Sequence, residues 1–150
     1  LAFGWFKRLQ YLKRQKEAEL NAAINDLAVL TQDFRDKSEM VENLRREMKA
    51  LATQNQRSEY LEQLTHSVIL TDDDWTHFKE LFEKVHPGYL AEQKAQCPDL
   101  TRAELRLLAL EKLGLDVHEI ANILGISTNT VYQTRRRMRK KEGTLPSTSI

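Results

Sequence analysis

The chain is 150 residues long, 41% hydrophobic and 30% charged, with a formal net charge of +1 at pH 7. That length and mix suit one small globular domain plus an extended element, leave no room for a second enzyme-sized core, and do not have the composition of a disordered chain. A single cysteine, Cys97, cannot close an internal disulfide, so nothing argues for an oxidising compartment. Gly (5) and Pro (3) are scarce and no run alternates Val, Ile and Thr, which predicts an all-α protein. The small net charge hides an asymmetry: residues 127–142 carry six bases against Glu142, so the positive field is local.

The chain opens on Leu rather than Met, as an excised piece or a processed product does. LAFGWF is followed by Lys7, Arg8, Lys13, Arg14 and Lys16. A membrane span needs about 20 apolar residues, so this stretch holds no complete one. Aromatics followed at once by a basic cluster nevertheless have the pattern of the cytoplasmic end of a spanning helix. Residues 1–18 are therefore expected to be a juxtamembrane segment, with the rest in the cytoplasm at the inner face of a membrane.

Residues 19–64 predict a coiled coil. With Leu20 at heptad position a, the later a positions are Leu27, Phe34, Val41, Met48 and Asn55, and the d positions are Ala23, Leu30, Lys37, Leu44, Leu51 and Ser58. No Gly or Pro falls between Trp5 and Leu70, so a helix of some 55 residues, roughly 80 Å long, fits the pattern. Leu20, Leu27, Leu30, Phe34, Val41, Leu44, Met48, Leu51 and Asn55 are the expected homodimer seam, with Asn55 favouring two strands in register. The other reading of the same stripe is a long helix folded back on its own domain. TQNQRS, residues 53–58, puts polar side chains on the seam and reads as a junction, after which Leu61, Leu64 and Val68 resume at a shifted phase.

Residues 65–142 predict a small helical bundle. Thr71 caps a helix whose first turn is acidic and whose Trp75, Phe78, Leu81, Phe82 and Val85 face a core. Three consecutive acids, Asp72 to Asp74, point about 100° apart on a helix and do not converge on a metal ion. His86-Pro87-Gly88 breaks this helix, a short one follows through Tyr89 and Leu90, and Cys97-Pro98-Asp99 forms the next loop.

Thr101 with Glu104 forms a capping box that opens a mostly apolar helix through Leu105, Leu107, Leu108, Leu110 and Leu113. Asp116 with Glu119 repeats the box for a two-turn helix that places Ile120, Ile123 and Leu124 inward, with Ala121 small enough for a neighbour to approach. Gly125 suits the positive φ of a tight turn, Ile126 plugs it, and Ser127 caps a third helix anchored by Val131, Thr134 or Arg135, and Met138. Short helix, Gly turn, apolar plug and capped helix predict a helix-turn-helix over 101–141. If Val131 and Met138 face the core, Asn129, Tyr132, Gln133, Arg136 and Lys140 lie opposite. Asn, Gln and Arg there are suited to base edges, and Arg137, Arg139 and Lys141 to phosphates.

From Leu100 to about Lys141 the sequence resembles the LuxR/GerE-type DNA-binding domain of bacterial transcription regulators. LTRAELRLLAL stands where that family has LT-x-x-E-x-x-x-L, and HEIANILGISTNTV stands for its E-I-A-x-x-L-x-I-S-x-x-T-V core. The resemblance implies a four-helix fold that binds DNA as a dimer, with the third helix in the major groove. It implies base reading by Tyr132, Gln133 and Arg136 and a backbone contact by Thr130. Tyr132 and Thr134 stand where the family usually has Lys and His, and Glu142 where it has Leu, so no DNA sequence preference carries over. The layout is also similar to that of membrane-anchored regulators with an upstream sensor.

The expectation is a dimeric, sequence-specific transcriptional regulator of double-stranded DNA, with RNA polymerase a candidate further partner. Asn129, Tyr132, Gln133 and Arg136 read bases, and Thr130, Arg137, Arg139, Lys140 and Lys141 hold phosphates. Two rival readings are a promoter-binding module like sigma-factor region 4 and a coiled-coil scaffold with a basic helix. His66, His77, His86 and His118 lack metal-ligand spacing and no nucleophile stands in a recognisable motif, so no enzyme, cofactor or metal is expected. GTLPSTSI, 143–150, reads as a disordered tail.

Overall fold

The computed structural model describes residues 2–50, 53–55, 57 and 69–143. Leu51, the renewed stripe at Leu61, Leu64 and Val68, His66 and the tail from 144 on lie outside the described residues. Among those described, the chain is all-helical: α1 (Ala2–Ala50), α2 (Asp72–Val85), α3 (Tyr89–Gln96), α4 (Arg102–Lys112), α5 (Val117–Leu124) and α6 (Thr128–Gly143).

The helix starts follow local chemistry. Thr71 and Asp74, Thr101 and Glu104, and Asp116 and Glu119 each form a reciprocal capping box, satisfying amides that the first turn leaves without partners. The boundary between α5 and α6 turns on Gly125, whose φ of 69° lies in the left-handed region. The Ile126 N–H then closes the turn on the Ala121 carbonyl at 3.0 Å, and Ile126 packs on the core.

Phe78, Phe82, Leu107, Leu110, Ile120, Ile123 and Val131 fill the centre of the bundle. Phe78 links the rings of Phe82 and Trp75, with centroids 5.8 and 5.4 Å away. Arg106 lies over Trp75 and pairs with Asp72, which joins the start of α2 to α4. Leu70, buried, donates its backbone N–H to the Ile123 carbonyl at 3.1 Å, fastening the entry of the bundle to the end of α5.

The long helix is part of this core. Ala23, Leu27, Thr31, Phe34, Ser38 and Val41 are its buried residues, and α1 packs against α2 and α5 of the same chain. Phe34 stands 5.9 Å from Phe78, ring to ring. Polar links reinforce the contact: Asn122 Nδ2 donates to Ser38 Oγ and to Glu42 Oε1, both at 2.9 Å, and Arg35 pairs with Glu119 at 3.2 Å.

The expected seam is thus divided. Leu27, Phe34 and Val41 in column a are covered by the chain's own bundle, together with Thr31 and Ser38 in the neighbouring e column. Of the d column only Ala23 is buried among the described residues; beyond it the column lies at the edge, with Leu30 and Leu44 half-buried and Lys37 exposed beside Asp33. The small Ser38 lets α5 come close enough for Asn122 to reach it, which a large side chain there would prevent. Heptad spacing specifies that one side of a helix is apolar and leaves open whose surface covers it. Leu20 and Asn55 are exposed, and Met48 is half-buried.

Candidate nucleic-acid interface

Ser127 starts α6 by accepting the Thr130 N–H at 3.1 Å, and the two hydroxyls lie 2.8 Å apart. Val131, Thr134 and Met138 are buried, at the i, i+3, i+7 spacing of an inward helix face. Thr134 also bonds the Thr130 carbonyl, so the inward face has no unpaired hydroxyl.

The opposite face presents Asn129, Tyr132, Gln133, Arg136 and Lys140, all exposed. Tyr132 is 56% exposed, a large ring with most of its surface in solvent. Within the described residues, the side chains of Asn129, Gln133, Arg136, Arg139 and Lys140 make no hydrogen bond or ion pair, so their donors and acceptors are available to a ligand. Arg137 is exposed and donates to Thr134 Oγ1 at 3.1 Å.

The remaining two bases are committed inside the domain. Arg135 pairs with Glu111 of α4. Lys141 Nζ donates to both Glu104 carboxylate oxygens and to the Asp99 carbonyl, each at 2.9 Å. Glu104 is buried; burial pushes its carboxyl up, but the hydrogen bonds from Lys141 and the Thr101 N–H and the charges of Lys141 and Arg137 outweigh that and hold it below its ordinary 4.5. A run of like charges in the sequence gives no sign of this division, because the partners are 24 and 37 residues away.

Arg102 is a cation that the charge run does not disclose. It is exposed at the start of α4 and shares a groove of about 350 Å³ with Leu124, Ile126, Val131 and Thr134, beside the first turns of α6. Among the described residues, no group of three or more His, Cys, Asp and Glu is placed to hold a metal ion. Nor, among them, is any helix long and apolar enough to cross a membrane.

Residues 99–147 match the family model of the homeodomain-like domain, and this segment is α4, α5 and α6 with their flanks. The match and the geometry together support a helix-turn-helix domain of the DNA-binding kind in this part of the chain. Comparison with curated proteins and with solved structures returned no match.

Proposed function

We propose that the chain is a sequence-specific, DNA-binding transcriptional regulator of the LuxR/GerE type, in which α6 enters the major groove. The observation that carries this reading is the division of α6: one side anchored by Val131, Thr134 and Met138, the other presenting unpaired Asn129, Gln133 and Arg136 beside Tyr132. Asn and Gln match the donor and acceptor edge of adenine, and Arg that of guanine. Thr130, Arg137, Arg139 and Lys140 hold the flanking phosphates, and Lys141 supports α6 from within the domain.

Two copies acting on half-sites about 34 Å apart complete the reading, because paired helix-turn-helix domains read two-fold sites. Pairing through Leu27, Phe34 and Val41 and packing of those residues on α2 and α5 exclude each other. A coiled-coil dimer therefore forms by release of α1 from the bundle, which frees a and d columns together. Placement at the inner face of a membrane belongs to the same reading through the aromatic and basic start of α1.

Selection of bound duplexes from a random pool by the whole chain tests the proposal. Enrichment of a shared motif is the expected result, with two-fold symmetry if the bound form is a dimer. Recovery of the input pool without enrichment would reject sequence-specific reading.

A further inference from the structure

α1 meets the bundle only from Ala23 onward as buried contact, and every described residue before it is exposed. The projecting part is about 30 Å long at 1.5 Å per residue. A helix ordinarily gains most of its stability by covering an apolar face, and among the described residues nothing is buried against this part. Phe3, Trp5, Phe6, Leu9, Tyr11 and Leu12 nevertheless all stand in solvent, Phe3 at 69% and Trp5 at 68% exposure. This concentration of large apolar side chains in ten residues needs a covering surface.

Their arrangement and company indicate which. At 100° per residue, Trp5, Phe6, Leu9 and Leu12 fall within about 120° of the helix circumference. Lys7, Arg8 and Arg14 lie outside that arc, and Lys13 and Lys16 continue it one turn further along. No acid occurs before Glu17, so five bases surround the rings without internal neutralisation by sequence neighbours. Exposed indole and phenyl rings beside long basic side chains fit the boundary of a lipid layer, where rings enter the acyl edge and ammonium or guanidinium groups meet phosphate.

We infer that residues 2–16 form an interfacial helix that docks on an anionic lipid surface, with Trp5, Phe6, Leu9 and Leu12 inserted and Lys7, Arg8, Lys13, Arg14 and Lys16 on headgroup phosphates. It deepens the membrane-face part of the reading above and stands apart from the DNA part. Docking there is remote from the outward face of α6, because α1 packs on the bundle chiefly through α2 and α5.

The whole chain is sedimented with vesicles of phosphatidylcholine alone and of phosphatidylcholine doped with phosphatidylglycerol. Binding to the doped vesicles, weakened by salt and by about fivefold for each Lys or Arg replaced by Gln, is expected. The combined variant Trp5→Ser, Phe6→Ser, Leu9→Ser and Leu12→Ser should release the protein from the vesicles. Retained binding by that variant makes the contact purely electrostatic and overturns insertion; no binding by the native chain overturns the proposal outright. Native chain that self-associates without lipid through these four residues, seen as dimer lost in the variant by sedimentation velocity, assigns the face to a second copy instead. Duplex binding measured on the same samples in lipid-free buffer reports on the DNA reading separately.

Discussion

Lys141 Nζ reaches both carboxylate oxygens of Glu104 at 2.9 Å, tying the last turns of α6 to the first turn of α4. The carboxylate is the reciprocal member of the Thr101 capping box, so one buried charge closes a helix start and receives a cation from another helix. The orientation of the outward face of α6 depends on this joint.

Replacing Lys141 by Ala should therefore lower stability rather than weaken DNA binding directly. It leaves Glu104 buried with a backbone N–H but without its cation, at a cost of about 2–3 kcal/mol. Urea unfolding of Lys141→Ala measures the loss, and the folded fraction should bind duplex with a salt dependence close to native. An unchanged unfolding midpoint with a shallower salt dependence would place Lys141 on phosphate after all.

The same joint predicts acid sensitivity. The Glu104 carboxyl is held below its ordinary value, so the folded state binds its proton less readily than the unfolded chain. Its stabilisation is complete above the ordinary carboxylate range and is lost as the pH falls through the lowered value. Burial and the charge of Lys112 lower His86 as well, which removes stability in a higher window, beginning as the pH drops below 6.5. Native and Glu104→Gln chains share His86, so the difference between their urea midpoints isolates Glu104. That difference should shrink between neutral pH and pH about 3; a constant difference removes the carboxylate as its source.

The helix starts were legible in the sequence because a capping box is a local signal: Thr101 and Glu104, or Asp116 and Glu119, need no knowledge of the fold. Gly125, Ser127 and the Val131–Met138 anchor were legible for the same reason. The covering of α1 was not decided by its pattern, since Leu27, Phe34 and Val41 present one stripe whether the partner is a second helix or α2 and α5. Asn122 shows the limit most clearly. Two helical turns gave no reason to expect a buried amide there, and its reason is Ser38 and Glu42, some 80 residues earlier.

Phe34→Ala separates the two uses of that stripe. Phe34 is 3% exposed and meets Phe78 within one chain, so truncation should cost about 3–5 kcal/mol by lost burial and the cavity left behind. Because the contact is intramolecular, the destabilisation read by thermal unfolding should not vary with protein concentration. A loss that grows on dilution would assign Phe34 to an interchain seam.

Salt dependence tests the division of charge along α6. Six bases stand on this helix, and if all neutralised phosphate, log affinity would fall with log salt at a slope of about −5. Arg135 and Lys141 are already paired with Glu111 and Glu104, leaving Arg136, Arg137, Arg139 and Lys140. The expected slope is then about −3 to −4, the smaller figure applying if Arg136 meets a base rather than a phosphate. Lys140→Ala should weaken selected and random duplexes alike and reduce the slope by about 1. Arg136→Ala should cost about 1–3 kcal/mol on the selected site and little on random DNA, since a bidentate contact to guanine exists only where the base is correct. Equal losses on both duplexes would move Arg136 to the phosphates, leaving Asn129, Tyr132 and Gln133 as the reading face.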